Sequence, residues 1–120
     1  MLRIEIKNSA KAFQPGSLIQ GKVYWEQPKI PKEIVATLVW HTEGKGDEDT
    51  ETVVEQRWTP NSEQGSESFE WEVPRGPLSK VGSLIHIYWA VEVATTKPAE
   101  TAKLDIVISH LGRPIHSNSL

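Results

Sequence analysis

The residues able to do chemistry in this chain are few and poorly grouped. There are four histidines, His41, His86, His110 and His116. No two stand in a His-x-x-x-His spacing, which would turn two imidazoles onto one helix face, and a zinc site needs about three or four convergent ligands. Cysteine is absent, which removes disulfides, Cys-ligated zinc, iron–sulfur clusters and thiol nucleophiles. There is no Gly-x-Ser-x-Gly elbow and no phosphate-cradling Gly-rich loop. A Ser–His–Asp triad is defined by geometry rather than spacing, so a small hydrolase stands as the weakest reading. The run Glu43 to Glu51, with Asp47, Glu48 and Asp49 at its centre, offers carboxylate oxygens. It lacks the alternate-oxygen spacing with a glycine at the sixth place and a terminal glutamate that a calcium loop has, and reads as a solvated hairpin loop. No cofactor and no metal are expected.

The five tryptophans are Trp25, Trp40, Trp58, Trp71 and Trp89. Flat rings of this kind stack on sugars, which makes a carbohydrate-binding β-sandwich the alternative reading. Trp25, Trp40, Trp71 and Trp89 share the apolar phase of their segments and belong in a core; only Trp58 has an ambiguous face.

Any such residues must be positioned by a small scaffold. A 120-residue chain buries roughly two-thirds of its unfolded surface, enough for one core. The expected organisation is a domain over 1–109 and a loose tail over 110–120, rich in Gly, Pro, Ser and Asn. Thirteen basic and sixteen acidic residues leave a net charge of −3, which argues against a nucleic-acid partner. The N-terminus alternates apolar and charged residues and has no signal-peptide core. No window approaches a membrane span of about 18 apolar residues. No Asn-X-Ser/Thr sequon occurs. A cytoplasmic protein without an integral membrane segment is expected.

The apolar period is two almost everywhere, the signature of half-buried strands. Leu2, Ile4 and Ile6 form one run, and Ile19, Gly21, Val23 and Trp25 a second. Ile34, Ala36, Leu38 and Trp40 follow, then a less regular set, Thr52, Val54, Gln56 and Trp58. Phe69, Trp71 and Val73, then Ile85 to Val93, then Leu104, Ile106 and Ile108 complete the series. A short strand near Ala10–Phe13 precedes Pro15-Gly16. Turn signals separate the runs, and none shows a sustained 3.6-residue pattern. The pattern predicts an all-β, immunoglobulin-like antiparallel β-sandwich of about seven or eight strands.

Two segments are apolar on both faces. Val35 and Val39 lie opposite Ile34 and Leu38, while Leu84, Tyr88 and Ala90 lie opposite Ile87, Trp89 and Val91. Strands covered on both sides read this way. If the two share a sheet, these residues make an outer apolar patch, and Tyr24, opposite Val23 and Trp25, extends it. Such a patch is a protein-binding surface. The simplest partner is a second copy of the chain in a symmetric dimer.

Two blocks resemble the arrestin-type β-sandwich. The first is Phe13-Gln14-Pro15-Gly16-Ser17-Leu18-Ile19-Gln20-Gly21-Lys22-Val23, similar to the family's aromatic-x-Pro-Gly entry into an early strand with a following Gly-x-Val. The second runs from Phe69-Glu70-Trp71-Glu72-Val73-Pro74 through Pro77-Leu78-Ser79-Lys80-Val81-Gly82 to Ile87-Tyr88-Trp89-Ala90-Val91. Trp89 stands where the family usually has Tyr. The resemblance covers roughly residues 2–108 and implies a non-catalytic adaptor or scaffold fold. The family includes arrestins, arrestin-domain trafficking adaptors, the cargo-adaptor subunit of the retromer coat and bacterial sporulation-control proteins. This chain holds one sandwich where full arrestins have two, and no Pro-Pro-x-Tyr motif. Arg3 and Lys7 are spaced differently from the paired lysines that sense receptor phosphates, so no phosphate site is carried over.

Three structural expectations follow. Ile4, Ile19, Val23, Trp25, Leu38, Trp40, Phe69, Trp71, Ile87, Trp89, Val91 and Ile106 form the core. Gly16 occupies the third position of a type II turn with positive φ, and Gly21 makes room for a close backbone or ring. Pro77 to Gly82 form a connection at a sandwich end.

Overall fold

The computed structural model describes residues 1–44, 48–77, 79 and 85–109, with the side chains of Ile85 and His86 left aside. Leu84, the tail 110–120 and most of the Pro77 to Gly82 connection therefore lie outside the described residues.

Eight strands are present among them: β1 (Leu2–Ile6), β2 (Ala12–Phe13), β3 (Leu18–Glu26), β4 (Glu33–Gly44), β5 (Thr50–Trp58), β6 (Gln64–Glu72), β7 (Ile85–Thr96) and β8 (Glu100–Ile108). They make two sheets, ordered β1-β3-β6 and β2-β8-β7-β4-β5. All pairs are antiparallel except β2 with β8, which is parallel. Alternation decides which face of each strand turns inward, because a one-residue slip would move the whole apolar set into water.

Both sheets contribute to a single core. Ile19 and Val23 of β3 meet Ile34 and Leu38 of β4, Val91 and Val93 of β7 and Ile108 of β8, all essentially inaccessible. Trp25, Phe69, Trp71, Trp89 and Ile106 are buried with them. Three expected core residues, Ile4, Trp40 and Ile87, are only half-buried. Ile4 lies on an edge strand, and Trp40 and Ile87 stand toward one end of the β4–β7 ladder.

The turn before β3 forms as its residues dictate. Gly16 has φ +82°, and the Ser17 N–H donates to the Gln14 carbonyl at 3.1 Å. That is the four-residue geometry with proline second and glycine third. Gly21 lies between Ile6 and Phe69 in register. A Cβ there would stand 2.6 Å from the Glu5 carbonyl oxygen and 2.7 Å from Phe69 Cζ. Gly65 does the same for Trp25, whose Cζ2 would be 2.7 Å from an added Cβ. Each glycine leaves the space that an aromatic ring on the neighbouring strand fills.

One expected phase is corrected. Leu38 pairs with Val54 but Val39 pairs with Thr52, so the register shifts and Val53 is the extra residue of a bulge. The bulge turns Thr52 to the outer side, away from the face that Val54, Gln56 and Trp58 share. Of the acidic run 43–51, Glu43 and Gly44 end β4 and Thr50 and Glu51 open β5, while residues 45–47 lie outside the described residues.

A candidate interaction surface on the outer face

β4 and β7 are adjacent at the centre of the larger sheet, with Val39 opposite Ala90, His41 opposite Tyr88 and Val35 opposite Ala94. The condition for an outer strip is therefore met for Val35, Val39, Tyr88 and Ala90. These residues share the parity that faces away from Ile34, Leu38, Trp89 and Val91. Val39 and Ala90 are nonetheless only 6% and 1% exposed, so the middle of the strip is already shielded from water. Tyr88 is 37% exposed and Val35 is half-buried.

The strip has chemically distinct ends. At one, the His41 and Tyr88 rings stack with centroids 5.1 Å apart, and His41 Nε2 lies 3.4 Å from a Glu43 carboxylate oxygen. At the other, Val35 and Ala94 line a shallow depression of about 520 Å³ with Thr37, Glu92, Thr101 and Lys103. Nearby, Arg57 of β5 ties itself to Glu33 at 2.7 Å and Glu55 at 3.2 Å. The hydrogen bonds it donates to Glu33, then to Glu55, hold the guanidinium above its ordinary pKa.

Tyr24 does not belong to this surface. It lies on β3, whose neighbours are β1 and β6, in the other sheet. Two packed sheets turn their outer faces in opposite directions, so no patch can run from Tyr88 to Tyr24. The Arg3 guanidinium sits 4.6 Å from the Tyr24 ring centroid, a cation–π geometry. Tyr24 instead borders a separate depression of about 550 Å³ with Lys22, Gln20, Phe69, Glu70 and the Lys7–Ser9 turn.

Two members of the strip, His41 and Ala94, were not named from sequence. Both share the parity of Val35 and Val39 or of Tyr88 and Ala90, which was the available signal. What was missing was the β4–β7 register, which sets His41 on Tyr88 and Ala94 on Val35.

The tryptophans are used internally. Trp25 Nε1 donates to the Ser62 carbonyl at 3.1 Å, Trp71 Nε1 to Gln56 Oε1 at 2.9 Å and Trp89 Nε1 to the Pro77 carbonyl at 2.7 Å. Trp40 and Trp58 pack against the core from its margin, which settles the face of Trp58. None of the five stands as an exposed platform for a sugar. Among the described residues no group of three or more His, Cys, Asp or Glu is placed to hold a metal ion, and no helix is long and apolar enough to cross a membrane.

No family model matches this chain, and no curated protein matches it. Among solved structures it is similar to the crystal structure of Spo0M, a sporulation control protein from Bacillus subtilis. The TM-score is 0.65 at 16% identity, over 90% of this chain and 48% of that one. The fold is an arrestin-like β-sandwich. The chain spans about half the length of that neighbour, and at this identity the likeness is one of architecture. The arrestin-like sandwich places the Pro15-Gly16 turn at the entry to β3 and the Ile87–Val91 segment inside β7.

Proposed function

We propose that this chain is a non-catalytic protein-interaction module of the cytoplasm and that the outer strip of β4 and β7 is its binding face. The carrying observation is Tyr88, exposed on the outer face of the larger sheet and stacked on His41, beside the shielded Val39–Ala90 pair. Aromatic residues of this amphipathic kind are enriched where proteins meet. The likeness to a sporulation control protein supports a regulatory rather than a catalytic reading.

The partner is another protein, most simply a second copy, since symmetric dimers are the commonest closed assemblies. A stable contact would bury about 1,000 Å² or more in total. Sedimentation of the wild type beside Tyr88→Glu tests this, with Tyr24→Glu as a control on the opposite face. The expected result is a dimer that Tyr88→Glu dissociates and Tyr24→Glu leaves intact. A wild type that stays monomeric at high concentration ends the homodimer. A pull-down from the native host that then recovers a partner equally well with Tyr88→Glu rejects the strip itself.

A further inference from the structure

The two sheets have unequal edges, and one edge is open in a way the others are not. β1 is five residues long, β2 has two, and β5 carries the Val53 bulge. Shortness and bulges are the usual means of blunting an edge against unwanted pairing. β6 has neither. Its nine residues pair with β3 in unbroken register from Leu18 with Glu72 to Glu26 with Gln64. They include no proline and no lysine.

The direction of its free hydrogen-bonding groups follows from the ladder. Just beyond its two ends, the Gln27 N–H donates to the Glu63 carbonyl and the Val73 N–H to the Ser17 carbonyl, both at 2.8 Å. Antiparallel pairs exchange bonds at every second residue. Odd-numbered residues of β6 therefore bond to β3, and Ser66, Ser68, Glu70 and Glu72 turn their N–H and C=O groups to the free side. Among the described residues no strand pairs with that side.

The edge is also charged with one sign. From Trp58 to Pro74 the chain has four glutamates and no lysine, arginine or histidine. None of Glu63, Glu67, Glu70 and Glu72 lies in an ion pair among the described residues. Glu67 shares the inward phase of Phe69 and Trp71 yet is exposed. A second copy of β6 would bring like charges together, which disfavours self-pairing. A strand carrying lysine or arginine meets both the open backbone groups and the carboxylates.

We propose that the free edge of β6 accepts an extended, basic segment of another protein as an added strand, its backbone pairing with Ser66 to Glu72 and its cations meeting Glu70 and Glu72, which share one face of the sheet. Added strands of this kind draw affinity from main-chain bonds and selectivity from alternate side chains. The inference rests on the reading of the chain as an interaction module but uses a different sheet from the Tyr88 strip.

The test is amide NMR of the whole chain titrated with a nine-residue peptide of alternating lysine and valine. Expected are shifts confined to β6 and slowed exchange of the Ser66, Ser68 and Glu70 amides. A glutamate–valine peptide should give none, and the same lysine peptide N-methylated at every residue, which has no donor on either edge, should lose the effect with the protein untouched. Ser68→Pro removes an edge donor without touching the β3 ladder and should also lose it, with melting showing that the variant is folded. Glu70→Lys with Glu72→Lys, two changes on the same face, should reverse the preference between the two peptides. Equal binding of the N-methylated peptide, shifts elsewhere on the surface, or no preference for the basic peptide would each overturn the proposal. If the edge fails while Tyr88→Glu still dissociates the dimer, the interaction reading stands and the added strand falls.

Discussion

Gly21 and Gly65 show how far single residues constrain this sandwich. Each sits in register with an aromatic residue, Phe69 or Trp25, whose ring occupies the space of the missing side chain. Gly21→Ala would force a methyl group against the Glu5 carbonyl and the Phe69 ring together, and overpacking of this kind costs about 1–3 kcal/mol. The thermal midpoint should drop accordingly, with intact near-UV signals from the tryptophans below it. Gly16 is demanding for a different reason. Nothing lies within 4 Å of an added Cβ, but φ is +82°. Gly16→Ala should therefore cost about 1–2 kcal/mol through backbone strain alone. Chemical denaturation that leaves the midpoint unchanged would contradict this. Trp89 combines near-complete burial with an N–H bonded to the Pro77 carbonyl. Trp89→Ala should remove about 3–5 kcal/mol from the roughly 5–15 kcal/mol available to such a domain, and a melt as high as the parent's would refute its place in the core.

At the level of elements, the eight strands were legible because their apolar residues alternate, and alternation survives wherever one face meets a core. The fourth run was the weakest in sequence, and the structure supplies the reason. Val53 interrupts the period, so Thr52 and Val54 cannot share a face. The bulge also protects an edge strand. Deleting Val53 would restore a regular ladder in which Thr52 still meets Val39 and Val54 still meets Leu38. The shortened chain should fold, with its melting midpoint little changed, and should self-associate more than the parent because a flatter edge is open to pairing. Light scattering across a concentration series checks this. A deletion variant that fails to fold, or one no stickier than the wild type, counts against the bulge as a protective device.

At the level of the whole molecule, strands that pair are often distant in sequence. β3 pairs with β6 across two intervening strands that belong to the other sheet, and β4 pairs with β7. Chain entropy must be lost before such contacts return any stabilisation. Topologies of this kind fold in milliseconds to seconds rather than microseconds. Stopped-flow tryptophan fluorescence should show that range, and a microsecond relaxation would mean that local contacts dominate.

By itself, the sequence determined the all-β class, the inward face of most strands and the Pro15-Gly16 turn. It also determined that Gly21 must be small and that β4 and β7 are apolar on both sides. Each of these depends on neighbours along the chain, or on what one residue type can adopt. The tertiary structure decided which strands are neighbours across a sheet. Register between β4 and β7 joined Val39 to Ala90 and brought His41 onto Tyr88, and the sheet order sent Tyr24 to the opposite face. Among the described residues it also left one side of β6 unpaired, on a strand whose charged residues are all glutamates. Period-two patterning records which way a side chain points along its own strand, while pairing is settled by packing between segments far apart in the chain.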